Sequence, residues 1–154
     1  MNIVRVWAMP DKRTFQIKPI KDLINKEKDN GLWIDPFPYP YSKDALLFLG
    51  EFQDESVDGV LFDPPYSPRQ LKECYDNQGM VLHDTKSSVW ASWKDEIARV
   101  LKPRGKVLSF GWSTNGLGKS RGFRMDNIML VAHGGNHNDT IVTVEIKVQG
   151  RLRQ

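Results

Sequence analysis

The segment Val57-Asp58-Gly59-Val60-Leu61-Phe62-Asp63-Pro64-Pro65-Tyr66 decides how this chain is read. Residues 57 to 62 form a short, nearly continuous apolar run, the pattern of a strand buried on both faces of a sheet. The run empties directly into an acid, two prolines and an aromatic ring. Proline lacks the amide hydrogen that a central ladder needs, so the strand stops there. Asp63 is thereby expected at the carboxyl end of a buried strand, where open α/β sheets bind ligands.

Two further buried strands flank it in sequence: Leu32-Trp33-Ile34, which ends in Asp35-Pro36-Phe37, and Lys106 to Phe110. Amphipathic helices alternate with them. Pro19 opens the first, where its missing N–H costs nothing; Ile20, Leu23 and Ile24 share one face, and Asn30-Gly31 stops it. Ser42 is placed to cap a short helix through Ala45, Leu46 and Leu49. Ser87 or Ser88 caps the clearest helix, with Trp90, Trp93, Ile97 and Val100 or Leu101 on its apolar face and Lys102-Pro103-Arg104-Gly105 at its end. A helical turn is expected near Leu71 to Tyr75. Alternating strands and helices predict parallel pairing.

Two more strands, 123 to 132 and 140 to 148, are joined only by the loop HGGNHND, too short for a parallel crossover, so they are expected to be antiparallel. The run Ile3-Val4-Arg5-Val6-Trp7 alternates like an edge strand. The expected fold is a mixed α/β sheet in a single domain over residues 1–154, and that length supports one core.

The composition narrows the function classes. Hydrophobic residues make up 40% and charged ones 27%, which rules out a disordered or collagen-like chain. The one cysteine, Cys74, excludes an internal disulfide and a Cys-rich zinc site. No apolar run reaches the ~18–20 residues of a membrane span. The start, MNIVRVWAMPDKR, lacks the basic opening and long apolar stretch of a signal peptide. A cytoplasmic location and no membrane partner are expected. Twenty-two Lys and Arg against 19 acids give +3, a mild excess that permits nucleic-acid binding without requiring it.

Other features carry less. His133 and His137 sit in a glycine-containing loop with no third ligand in view, so they read as polar loop residues and no metal is expected. Gly116-Leu117-Gly118-Lys119-Ser120 lacks phosphate-loop spacing and reads as a flexible loop. The helical spacing of Trp90 and Trp93 reads as core.

Asp63-Pro64-Pro65-Tyr66 resembles the catalytic motif of the S-adenosylmethionine-dependent amino-methyltransferases, which methylate N6 of adenine or N4 of cytosine. Lys18-Pro19, in FQIKPIKDLI, is similar to the family's K-P segment at the methionine end of the cofactor, and Asp35-Pro36-Phe37 to its D-P-F cofactor motif. LKPRGKVLSFGW looks like the helix end and strand that follow the catalytic strand. The resemblance spans residues 15 to 148. It implies a shortened Rossmann-like methyltransferase fold and S-adenosylmethionine as cofactor, held by Lys18, Pro19, Asp35, Phe37 and, as an adenine-contacting acid, Asp44. It implies catalysis by Asp63, Pro64, Pro65 and Tyr66.

The chemistry suits those residues. The lone pair of an exocyclic base amine is delocalised into its ring. Asp63 can accept one N–H and the Pro64 carbonyl the other, favouring a pyramidal nitrogen. Tyr66 offers a flat face to a base taken out of the stack.

The chain departs from the family in two ways. Pro38-Tyr39-Pro40-Tyr41 stands where a glycine-rich turn follows D-P-F. The interval from Asp35 to Asp63 holds one crossover and not three, since each takes at least ~10–12 residues. Two outer strands, with the acid that holds the ribose hydroxyls, are therefore expected to be missing. Sequence readout would fall to the 67–87 loop with Arg69, the 112–122 loop with Lys119 and Arg121, a homodimer mate or a separate specificity partner. Three functions stay open: methyl transfer to a base amine in DNA, adenine N6 favoured; a weak or inactive methyltransferase-like module that binds nucleic acid or a partner protein; and methyl transfer to RNA or a free nucleoside.

Overall fold

A computed structural model describes residues 1–38, 43–65, 88–135 and 137–148. Six strands form one sheet: β1 (Asn2–Trp7), β2 (Trp33–Ile34), β3 (Val57–Phe62), β4 (Leu101–Gly111), β5 (Phe123–Ala132) and β6 (Thr140–Lys147). Their spatial order is β1-β5-β6-β4-β3-β2. β2, β3 and β4 are mutually parallel; β6 runs antiparallel to both β4 and β5, and β1 is parallel to β5 on the far edge. The fold is thus a mixed α/β sheet with an antiparallel pair at its carboxyl-terminal end, as the short HGGNHND loop requires. Among the described residues no strand lies between β2 and β3.

Among the described residues three α-helices cover the faces: α1 (Lys18–Glu27), α2 (Ala45–Leu49) and α3 (Ser88–Val100). The period-two alternation of β3 divides the core. Val60 and Phe62 pack with Trp93, Ile97 and Val100 of α3 and with Leu49 of α2. Leu61 turns the other way, onto Ile20, Leu23 and Ile24 of α1. Each such side chain, fully buried, contributes ~1.5–3 kcal/mol of transfer free energy. Val89 joins Trp93, Ile97 and Val100 on the buried face of α3, where the sequence predicts Trp90, Trp93, Ile97 and Val100 or Leu101.

Gly59 faces Trp33 across the β2–β3 ladder, and a Cβ there would overlap the indole ring. The glycine therefore lets an aromatic residue lie flat against the neighbouring strand.

Several local expectations are corrected. Helix α3 ends at Val100, and Lys102 to Gly105 belong to the start of β4 rather than a helix terminus. Val57 pairs with Leu101 and Gly59 with Lys106, so the four residues between bulge out, with Arg104 at φ 69°. Helix α2 is capped by Asp44, whose Oδ1 accepts the Leu47 N–H at 3.1 Å. At its other end Arg99 donates to the carbonyls of Leu49 and Phe52 at 3.1 and 2.9 Å.

His133 is not a solvated loop residue. It is buried, its Nδ1 2.9 Å from the Ala8 carbonyl and its Nε2 2.8 Å from Thr140 Oγ1, tying the end of β1 to the β5–β6 hairpin. No group of metal-ligating side chains occurs among the described residues. No helix among them is long and apolar enough to cross a membrane.

Candidate active site

β2 and β3 are parallel, so Asp35 and Asp63 leave the sheet at the same end. Each acid follows the last residue of its strand or nearly so, because proline ends the ladder behind it. The Asp35 carboxylate folds back on its own turn, where Oδ1 accepts the Phe37 N–H at 3.0 Å. Asp63 comes after Phe62, whose ring is in the α3-side core, and emerges towards α1. There it receives a hydrogen bond from the side chain of Thr14, just ahead of α1.

Both acids are partly buried. Loss of hydration raises the Asp35 pKa to about 6, against the opposing effect of the Phe37 N–H. Asp63 is pushed up to about 7, first by desolvation and further by the charge of Asp35, with the Thr14 hydrogen bond acting the other way. Neither acid forms an ion pair among the described residues. Two desolvated acids with no cationic partner among the described residues suit a ligand that brings positive charge, which would favour their ionised forms.

Asp63's chain neighbours Phe62, Pro64 and Pro65, though not Asp63 itself, line a cleft of about 250 Å³ at the ends of β3 and β4. Phe62, Pro64, Pro65, Trp90, Phe110 and Trp112 give it flat apolar walls. Its polar groups are few: Lys94 from α3, and Ser109 and Ser113 from β4 and the segment after it. The Ser109 hydroxyl is buried and has no hydrogen-bond partner. Desolvation lowers the Lys94 pKa, Arg121 lowers it further, and Glu145 opposes both. The volume is at or below the ~300–1,000 Å³ of drug-sized ligand pockets, so a single heterocycle fits better than a whole nucleoside cofactor.

The other residues singled out from the sequence are distributed differently. Pro19 sits in the first turn of α1. The Lys18 ammonium is exposed and pairs with Asp22 at 3.1 Å. Phe37 is a core residue, its ring 4.6 Å from Trp93 and 6.1 Å from Phe62. Asp44 is the α2 cap. Trp90, read as core, is half-buried and lines the cleft beside fully buried Trp93.

Lys119 is exposed. Arg121 is drawn inward: its Nε donates to Asp95 at 2.8 Å and its Nη1 to the Leu117 carbonyl at 3.2 Å, holding the loop to α3. Tyr66, Arg69, Ser42, Cys74 and the turn expected near 71–75 lie outside the described residues.

The sequence reading missed Thr14, Lys94, Ser109 and Glu145. A trace of Glu145 was present, as an acid set between Val144 and Ile146 in a strand.

No protein-family model matches the chain, and no curated protein matches it. Several solved structures resemble it. One is TTHA0409 from Thermus thermophilus, a candidate DNA modification methylase, with 18% identity and a TM-score of 0.45 over 73% of this chain and 55% of that one. Another is HI0767 from Haemophilus influenzae, a candidate methylase, with 11% identity and a TM-score of 0.37 over 96% and 68%. PH0851 aligns at 14% identity and a TM-score of 0.42 over 94% of this chain and 42% of its own. The chain thus spans about half the length of the first of these proteins.

Proposed function

We propose that the protein transfers a methyl group from S-adenosylmethionine to the exocyclic amine of a nucleobase in DNA, adenine N6 foremost. One observation carries the reading. The Asp63-Pro64-Pro65 turn stands between an unneutralised acidic pair and a small, flat-walled cleft. S-adenosylmethionine, when bound, supplies a methyl group on a positively charged sulfur. Asp35 and Asp63 offer that charge two carboxylates without other counter-ions. Thr14, just ahead of α1, borders Asp63 from the α1 side.

The cleft takes the base, with Pro64, Pro65, Trp90 and Trp112 excluding water from its faces. Ionised Asp63 accepts one amine N–H and the Pro64 carbonyl accepts the other. Both acceptors belong to one proline-stiffened turn that borders the cleft through Pro64 and Pro65, which keeps reorganisation small when the nitrogen becomes pyramidal. An acid titrating near 7 can also hold the proton that the methylated amine releases. Lys119, exposed on the loop beside the cleft, is available to a phosphate backbone.

A second reading, a methyltransferase-like module without turnover, is favoured by one feature. Lys18 and Phe37, which the resemblance assigns to the cofactor, are engaged with Asp22 and with the core.

Calorimetric titration with S-adenosylmethionine and tritiated-methyl incorporation into unmethylated duplex and single-stranded DNA separate the two. Cofactor binding with incorporation that Asp63→Ala abolishes supports the enzyme. Absent binding at millimolar cofactor supports the module. Equal incorporation by wild type and Asp63→Ala overturns the role of Asp63.

A further inference from the structure

Glu145 lies in the middle of the sheet on β6, opposite Val107 of β4 and Met125 of β5. It is 1% exposed. A carboxylate so placed is costly unless its lone pairs are filled. Among the described residues each oxygen takes one hydrogen bond, both from the same segment: Oε1 accepts the Leu117 N–H at 2.8 Å and Oε2 the Gly118 N–H at 3.0 Å. Both donors belong to the segment after β4 that carries Trp112, Ser113 and Gly116, all lining the cleft.

Gly116 has φ 53°, and a Cβ there would overlap the Glu145 carboxylate. Leu117 is buried in the α3-side core, and Arg121 holds the far side of the loop to Asp95. The backbone therefore drapes over a buried anion, with a glycine where the contact is closest. The loop expected to be flexible is anchored from beneath.

We propose that Glu145 is a positioning residue that fixes the outer wall of the cleft, and through it the placing of Trp112 against a bound base. This rests on reading the cleft as the acceptor site. Glu145 touches no substrate; it acts through the Leu117 and Gly118 amides. Replacing the carboxylate by an amide of the same shape leaves one acceptor and sets an N–H₂ group against an N–H donor. The wall should shift while the sheet stays whole.

The test uses the full chain labelled with 5-fluorotryptophan, with the Trp112 fluorine resonance assigned by Trp112→Phe. Glu145→Gln should move the Trp112 resonance, leave that of Trp93 in place, and raise the KM for acceptor DNA ~10-fold with kcat within ~3-fold, as for the loss of one charge-assisted hydrogen bond. Gly116→Ala, whose methyl would displace the same loop, should give the same pattern and serves if Glu145→Gln does not fold. A folded Glu145→Gln or Gly116→Ala protein with Trp112 and KM unchanged overturns the proposal, as does a fall in kcat at constant KM. If the wild type transfers no methyl group, the proposed function fails, while the Trp112 resonance still decides whether Glu145 sets the wall.

Discussion

Asp63→Asn exchanges a carboxyl for an amide of nearly the same shape that never ionises. In the native chain the Asp63 pKa rises from 3.8 to about 7, chiefly through desolvation. The folded state therefore binds this proton more tightly than the unfolded state. Stability from this group is fully present below pH ~4 and is lost as the pH climbs to the folded value. At ~1.4 kcal/mol per pH unit, the whole interval is a ceiling of ~4 kcal/mol, of which ~3 kcal/mol is lost between about pH 5 and pH 8.5. Asp35, raised to about 6, adds a smaller loss in the same direction.

Urea denaturation followed by far-ultraviolet circular dichroism, at several values from about pH 5 to pH 8.5, measures this. The wild type should weaken with rising pH. The variant should weaken by ~3 kcal/mol less and be the more stable protein at the alkaline end, with m unchanged. Parallel pH curves for the two proteins, or a wild type that strengthens from pH 5 to 8.5, would refute the reasoning. The acid is thus held in place at a cost in stability, which is the usual condition of a site kept for function.

Methyl transfer should follow the opposite pH course, because only ionised Asp63 accepts the amine hydrogen. The value of kcat/KM should rise through about pH 7, and a flat profile would exclude Asp63 as the titrating group. Asp63→Ala should lower turnover ~10²–10³-fold, read from initial rates of tritium incorporation. Trp93→Ala should cost ~3–5 kcal/mol in urea denaturation, since Trp93 is 1% exposed and packs on Phe37 and Phe62. Trp93→Phe should cost much less, because the buried indole N–H has no partner to lose. Asp44→Ala should remove the α2 cap and ~0.5–2 kcal/mol of stability, while Asp44→Asn stays close to wild type. Equal stability of the Ala and Asn variants would deny the cap its role.

The sequence alone determined most of the elements and where β2 and β3 stop. An apolar run closed by Asp-Pro can only be a strand that ends there, so Asp35 and Asp63 were legible as strand-end acids. Ile20, Leu23 and Ile24 announced the buried face of α1, and a seven-residue loop allowed only an antiparallel β5–β6 pair. These are local constraints, set by periodicity, missing amide hydrogens and the reach of a short chain.

Tertiary structure decided what each polar side chain binds, because those partners lie far apart in sequence and compete. Lys18 pairs with Asp22, one helical turn on. Phe37 left the crevice for the core because Trp93, more than fifty residues away, offers an apolar face. Arg121 is drawn to Asp95, and His133 bridges Ala8 and Thr140 across the sheet. Glu145 shows the reason most plainly. In sequence it is one acid in an apolar strand, and only the return of the chain at Leu117 and Gly118 supplies the two amides that make its burial tolerable.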